Sequence, residues 1–212
     1  MRLARSRLWW VGSVLVLAAL VLAAVGWTHR QPGLPGPVSS ATLAVPPAAR
    51  HAVSMARSRP VRLEVPALAL SVDLTTLGLN PNGTVQVPTT TNVAGWYRDG
   101  PSPGQIGSAV ILGHVDSYRG IGAFFYLRTL RAGDRLQVFL ADGQHPTFRV
   151  TRVATYVKSA FPDRAVYGSH GYSALQLVTC GGVFDHATGS YESNVVVYAV
   201  RVGAYASAPR AA

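Results

Sequence analysis

A chain of 212 residues holds one domain of ordinary size with appendages, and it is too short for two full domains plus a further segment. The net charge of +10 suggests a polyanionic partner only until it is mapped, because residues 1–60 carry seven Arg and no Asp or Glu. The other 152 residues carry 12 basic and 9 acidic groups, a net of +3 with no basic run, which argues against nucleic acid as a partner.

Leu8 to Trp27 form 20 consecutive uncharged residues, mostly Leu, Val and Ala. At about 1.5 Å per residue a helix of that length crosses a hydrocarbon core of roughly 30 Å. Arg2, Arg5 and Arg7 precede it, and Trp9, Trp10 and Trp27 sit near its ends, where amphipathic rings favour the interface. The expectation is a cytoplasmic N-terminus over 1–7, a single membrane span over 8–27 and everything after it outside the cell membrane. A cleaved secretory signal is the competing reading, but the run is long for one and ends in Val25-Gly26-Trp27, a poor cleavage site. Both readings export the bulk of the chain.

Residues 28–59 contain Pro32, Pro35, Pro37, Pro46 and Pro47 among Ala, Ser and Gly, and no acidic group. Such a stretch buries too little apolar surface to offset its ordering entropy, so it reads as a tether, with a short helix over Ala48–Arg57. From Arg59 the pattern changes to short apolar or alternating runs separated by Gly, Pro, Asn and Asp. This predicts strands at Val61–Val65, Leu68–Leu74, Thr84–Val87, Ser108–Val115, Arg135–Leu140, Thr147–Val157, Ala174–Cys180 and Asn194–Val202. Turns such as Pro81-Asn82-Gly83 and Asp142-Gly143 separate them, and only Ile121–Leu130 reads as a short helix or 3₁₀ turn. The fold class is mostly β, a mixed or antiparallel barrel over 60–204 whose closure removes unpaired edges, followed by a tail over 205–212.

The single cysteine, Cys180, excludes an internal disulfide and a Cys-rich metal site. It follows the apolar run Leu175-Gln176-Leu177-Val178-Thr179 and precedes Gly181-Gly182, so it is expected at a strand end entering a flexible loop. A lone cysteine is often simply buried, but in an oxidising exterior an idle accessible thiol is a liability. His114 stands at a similar junction, in Leu112-Gly113-His114-Val115-Asp116-Ser117. A thiolate and an imidazole are the minimum set for acyl transfer, one attacking a carbonyl and the other moving the proton. The 66 residues between them mean that only the fold can bring them together. His29 and His51 fall in the tether, and His145, His170 and His186 in loops. No His-Glu-x-x-His motif or Cys pair supports a metal.

Several ordered motifs stand out along the chain. They are Val93-Ala94-Gly95-Trp96-Tyr97-Arg98-Asp99-Gly100, Pro103-Gly104-Gln105-Ile106-Gly107, Leu112-Gly113-His114-Val115-Asp116-Ser117, Phe161-Pro162 through Val166-Tyr167-Gly168, and Leu177-Val178-Thr179-Cys180-Gly181-Gly182 with Phe184-Asp185. Together these motifs resemble the sortase family, and the Thr-Cys-Gly-Gly-x-Phe-Asp ending is similar to its actinobacterial class F group. The resemblance covers roughly Arg59 to Gly203. It implies an eight-stranded sortase β-barrel with short helices, Cys180 as nucleophile, His114 as its acid/base partner, and no metal or organic cofactor. The implied substrates are surface proteins with a C-terminal signal related to Leu-Pro-x-Thr-Gly, cleaved between Thr and Gly through a thioester. The implied acceptors are an amine of a cell-wall precursor or pilin, or water.

One departure stands out. The family pattern has an Arg about a dozen residues after the Cys, yet Gly189-Ser190-Tyr191-Glu192-Ser193-Asn194-Val195 contains none. Asn194, Arg98, Arg128 and Arg201 are the candidates for the missing substrate-binding or oxyanion donor, and removing one such donor typically costs about 10²- to 10³-fold in rate. The alternative is an impaired sortase-like barrel acting as an extracytoplasmic binding protein. An L,D-transpeptidase fits less well, because its Ser-x-Gly-Cys-x-Arg pattern is absent around Cys180.

Overall fold

The computed structural model describes residues 53–202, so the expected membrane span, most of the expected tether and the C-terminal tail lie outside the described residues. The barrel strands are β1 (Pro60–Val65), β2 (Leu70–Leu77), β3 (Ala94–Tyr97), β4 (Gly107–Gly113), β7 (Arg135–Leu140), β8 (Thr147–Val157), β9 (Ser173–Asp185) and β10 (Ser190–Val202). A small hairpin of β5 (Asp116–Ser117) and β6 (Gly120–Ile121) stands apart from them. The eight close in the order β1-β2-β3-β4-β9-β10-β8-β7, the mostly β barrel expected from the turn-bounded runs.

Alternation along each strand builds two apolar layers. Ala109, Ile111, Leu175, Leu177, Val197 and Ala199 point inward, joining Leu63, Leu136, Phe124 and Phe148 in the main core. Residues of opposite parity, Val110, Val178, Val196 and Tyr198, form a second cluster on the outer face. That cluster is covered by the segment between β8 and β9, which carries the short helix α1 (Asp163–Tyr167). Both faces of β4, β9 and β10 are therefore buried, which is why these strands read as nearly continuous apolar runs.

Two expectations in this region are corrected. Thr84–Val87 is not a strand: Val85 makes one isolated bridge to Leu79, Val87 is exposed and Pro88 removes the next amide donor. The eighth strand is instead β3, which runs parallel to β2 with Leu74 opposite Ala94 and Leu77 opposite Tyr97. It is short and contains Gly95, whose missing Cβ makes room for Leu77; a Cβ there would lie 2.4 Å from Leu77 Cγ. Ile121–Leu130 holds the expected 3₁₀ turn, at Leu127–Thr129, but it is not the only helical segment, because α1 follows Pro162.

The end of the expected tether also belongs to the folded unit. Met55 packs against the main core and donates its amide to Gly104 O at 3.1 Å. The Arg57 guanidinium donates to Gly100 O at 3.0 Å and to Arg98 O, and stacks 5.1 Å from the Trp96 ring. Residues 53–57 adopt no helix.

Replacing Gly95 with Ala forces Leu77, which is 4% exposed, off its position. The variant is expected to lose about 1–3 kcal/mol of stability, read as a lowered midpoint in chemical denaturation.

Candidate active site

The site lies where a parallel pair of strands stops pairing. β4 and β9 run side by side with Ile111 opposite Leu177 and Leu112 opposite Val178, and their pairing ends there. β9 continues to Asp185, paired with β10 on its other flank, whereas β4 ends at Gly113. His114 and Cys180 each lie two residues beyond the last pair on their side of the ladder. Both side chains line the same two cavities. Cys180 is therefore not at the end of a strand, as the sequence suggested, but inside a long β9 with one flank open. It is half-buried rather than sealed in the core.

On the paired flank, Cys180 stands directly opposite Asn194 of β10, which in turn stands opposite Tyr156 of β8. Directly opposed residues share a face, so His114, Cys180 and Asn194 form a row on the outer surface of the barrel. Just beyond them the β9–β10 ladder slips between Tyr191 and Ser193, leaving Glu192 in a bulge. Gly182, with φ of 81°, supplies the left-handed turn on the opposing strand.

The imidazole of His114 is oriented by a residue that sequence reading passed over. Nε2 lies 2.7 Å from the carbonyl oxygen of Pro88, in the loop between β2 and β3. A carbonyl only accepts, so Nε2 carries the hydrogen, and Nδ1 is the nitrogen left to exchange a proton. The loop that presents Pro88 is itself tied down. The Gln86 amide donates to Gly78 O at 3.0 Å, the Gly78 amide donates to Gln86 Oε1 at 2.8 Å, and Ala123 N donates to Thr91 O at 2.8 Å. His114 O accepts from Phe124 N at 3.0 Å, which fixes the backbone that carries the ring. A proline carbonyl in a polar loop gives no sequence signal for this role.

The two cavities differ in chemistry. The first, about 840 Å³, extends from Cys180 and His114 over Leu112, Val178, Val85 and Val87 to an aromatic wall. Tyr97 and Tyr167 meet edge to face at 5.9 Å, and Phe161 adjoins Tyr167 at 6.5 Å. Burial, then Asp163 and then Tyr97 push the Tyr167 hydroxyl up to about 12. The second cavity, about 740 Å³, lies towards the β9–β10 hairpin and is lined by Asp116, Tyr118, Phe184, His186 and Tyr191. Here the Tyr191 hydroxyl donates to Asp116 Oδ2, and that bond raises the phenol above its ordinary value.

The four candidate donors separate clearly. Asn194 lines the first cavity. Arg128 rests on Phe125, 5.6 Å from its ring, and lines neither cavity. Arg98 lines neither cavity; it follows β3 at the end away from Gly113 and pairs loosely with Asp99 at 3.9 Å. Arg201 is buried seven residues beyond Asn194 and donates to Gly104 O at 2.9 Å, near the opposite end of the barrel. At about 3.3 Å per residue its backbone is more than 20 Å from Cys180 along the strand. The position twelve residues after Cys180 is occupied by exposed Glu192. Among the described residues, no group of three His, Cys, Asp or Glu is placed to hold a metal ion.

The aromatic wall carries a prediction about pH. The unfolded chain gives up the Tyr167 proton near the ordinary value of 10.0, while the folded protein keeps it to about 12. Between those values the unfolded state binds fewer protons, so stability falls as pH rises through that window. Denaturation midpoints measured along an alkaline series are expected to show that decline, and Tyr167→Phe to reduce it.

Comparison with known proteins follows the same geometry. No curated protein matches the sequence. The fold is similar to sortase A from Corynebacterium diphtheriae, with a TM-score of 0.54 and 16% identity, covering 74% of this chain and 66% of that one, just under two thirds of its length. It is also similar to sortase C1 from Streptococcus suis (TM-score 0.53, 14% identity, 70% of this chain and 76% of that one). Sortase C-1 from Actinomyces oris aligns with a TM-score of 0.52 at 22% identity, covering 68% of this chain and 76% of that one. The sortase-domain family model matches residues 63–202, which span the barrel from β1 to the end of β10, and the chain therefore belongs to the sortase family.

Proposed function

We propose that this protein is a membrane-anchored, extracytoplasmic cysteine transpeptidase of the class F type, acting on surface proteins that end in a sorting signal related to Leu-Pro-x-Thr-Gly. The observation that carries the reading is that Cys180 and His114 both line the two cavities that meet at the open flank of β9. The apolar and aromatic lining of the 840 Å³ cavity suits the Leu and Pro of such a signal.

The chemistry runs in two halves. The sulfur of Cys180 attacks the Thr carbonyl and forms the thioester, while the Thr–Gly bond breaks. With Nε2 held by the Pro88 carbonyl, His114 takes the Cys180 thiol proton on Nδ1 as the sulfur attacks and delivers it to the Gly amine as that amine leaves. An amine of a cell-wall precursor or pilin, or water, then attacks the thioester and releases Cys180. The negative charge on the carbonyl oxygen needs a donor, and Asn194, directly opposite Cys180, is the side-chain amide in position to supply it.

A second reading has one observation in its favour: the acidic Glu192 stands where the family pattern has its Arg. On that reading the barrel binds sorting signals without turning them over.

A fluorogenic sorting peptide separates the two. Wild-type protein is expected to cleave it and Cys180→Ala and His114→Ala to lose that cleavage, whereas binding of the peptide without cleavage by wild type supports the second reading. Asn194→Ala is expected to lower kcat by about 10²- to 10³-fold. Arg98→Ala and Arg201→Ala are expected to keep kcat near the wild-type value, with Arg201→Ala showing its effect in thermal stability instead.

A further inference from the structure

A cavity of about 300 Å³ on the outer face of β8, β10 and β9 shares no lining residue with the two at Cys180. Ala165 of α1 and the stacked rings of His170 and Tyr172, 5.7 Å apart, line it from above the sheet. On the sheet itself lies a cross-strand row, with Arg152 of β8 opposite Tyr198 of β10, and Tyr198 opposite Gln176 of β9. Directly opposed residues share a face, so the three side chains project to the same side. Next to this row the β8–β10 ladder slips between Tyr198 and Ala199, and Thr151 is the extra residue of the bulge.

Two polar atoms of the row are buried with no partner among the described residues, Gln176 Oε1 and Arg152 Nε. The Gln176 amide is oriented by its neighbours. The Ser108 hydroxyl donates its only hydrogen to Gly168 O at 2.6 Å, so its oxygen can only accept, and Gln176 Nε2 donates to it at 3.2 Å. Nε2 is thereby held on Ser108, and Oε1 of this residue, which is 2% exposed, is the acceptor left for a ligand. The Arg152 guanidinium lies over the Tyr198 ring, 4.4 Å from its centre, with no carboxylate in salt-bridge distance among the described residues.

These groups define a complementary ligand. Arg152 is the one Arg or Lys in the lining, and no Asp or Glu accompanies it, so the cavity selects a single negative charge. Gln176 Oε1 requires a donor, which sulfate and a fully ionised phosphate ester do not bring. A free α-amino acid brings its donor as a second positive charge beside Arg152, with no acid in the lining to match it, whereas an amide N–H brings it without charge. Ala165, Ala174 and Val200 leave space for a small apolar group.

We propose that this cavity binds a carboxylate that carries an amide N–H on its α-carbon, the end shared by a peptide C-terminus and an N-acylamino acid, with the carboxylate on Arg152 and the N–H on Gln176 Oε1. The site stands apart from the proposed transpeptidase chemistry and does not rest on it. It touches the first cavity only through α1, which gives Ala165 to this site and Tyr167 to the aromatic wall.

Calorimetric titration of the full-length protein tests the site with N-acetylalanine, which has both groups, its N-methylamide, which lacks the carboxylate, and propionate, which lacks the N–H. N-acetylalanine is expected to bind saturably and about ten-fold or more tighter than either of the others. Arg152→Gln is expected to weaken N-acetylalanine about ten-fold or more, and Arg152→Lys to weaken it less. N-acetyl-trialanine separates the two sources of the same chemistry: affinity equal to or above that of N-acetylalanine assigns the site to peptide ends, and weaker binding assigns it to a free N-acylamino acid. No saturable binding of N-acetylalanine by the wild type, the result for a cavity that holds only water, overturns the proposal. So does propionate or the N-methylamide binding as tightly as N-acetylalanine, or affinity for N-acetylalanine unchanged in Arg152→Gln. Should Arg152→Gln fail to fold, the probe series on the wild type decides alone. None of these readouts passes through Cys180, so failure to cleave a sorting peptide and failure of this site are separate results.

Discussion

Everything about this site depends on one local event in the barrel, the end of pairing between β4 and β9 at Leu112 and Val178. Up to that point the two parallel strands share a ladder and present nothing to solvent between them. Past it, β9 keeps its antiparallel partner β10 as far as Asp185 and loses its neighbour on the other side. A side chain there is held rigidly by one strand and left accessible on the opposite flank. Cys180 occupies that position, and the chain that leaves β4 delivers His114 to the vacated side. Rigid backing and open access are competing demands for a nucleophile, and a strand paired on one flank meets both.

The surroundings extend the same division of labour. The β2–β3 loop contributes no charged group to His114, only the Pro88 carbonyl that fixes which ring nitrogen carries the hydrogen. A neutral carbonyl orients the imidazole without the full charge of a carboxylate, which is a gentler version of the base-and-orienter arrangement of hydrolytic triads. On the outer face, α1 and its flanking turns close an aromatic wall over β4 and β9. On the hairpin side, Asp116 and Tyr191 link the His114 loop to β10 by a single hydrogen bond. The domain as a whole is mildly basic, yet three of its nine acidic residues, Asp116, Asp185 and Glu192, gather at this end.

The barrel was legible because its signals are local. Alternating or continuous apolar runs bounded by Gly, Pro and Asn mark seven of the eight strands to within a few residues. The eighth was misread for a physical reason: Thr84–Val87 alternates like a strand but has no partner beyond one bridge, whereas Ala94–Tyr97 has a partner on each flank and only four residues to announce it. The N-terminal boundary was set too late because Met55 and Arg57 sit in a Pro/Ala-rich context, and their contacts with Gly104, Gly100 and Trp96 are all tertiary. The residue types of the site were visible, but their juxtaposition was not, since strand register across 66 residues is a property of the closed sheet. Ordered motifs stood in for that missing geometry. Nothing in the composition around Arg201 or Arg98 says that one is bonded at the far end of the barrel and the other turned outward from the end of β3, and nothing around Pro88 marks its carbonyl.

The most direct measurement of the central claim is the intact mass of the full-length protein during turnover of a sorting peptide, followed by peptide mapping of the quenched sample. The account predicts an added mass equal to the acyl fragment ending at Thr, carried on the peptide that contains Cys180 and discharged when an amine is supplied. Cleavage of the sorting peptide with no adduct at Cys180, or an adduct on another residue, would contradict it.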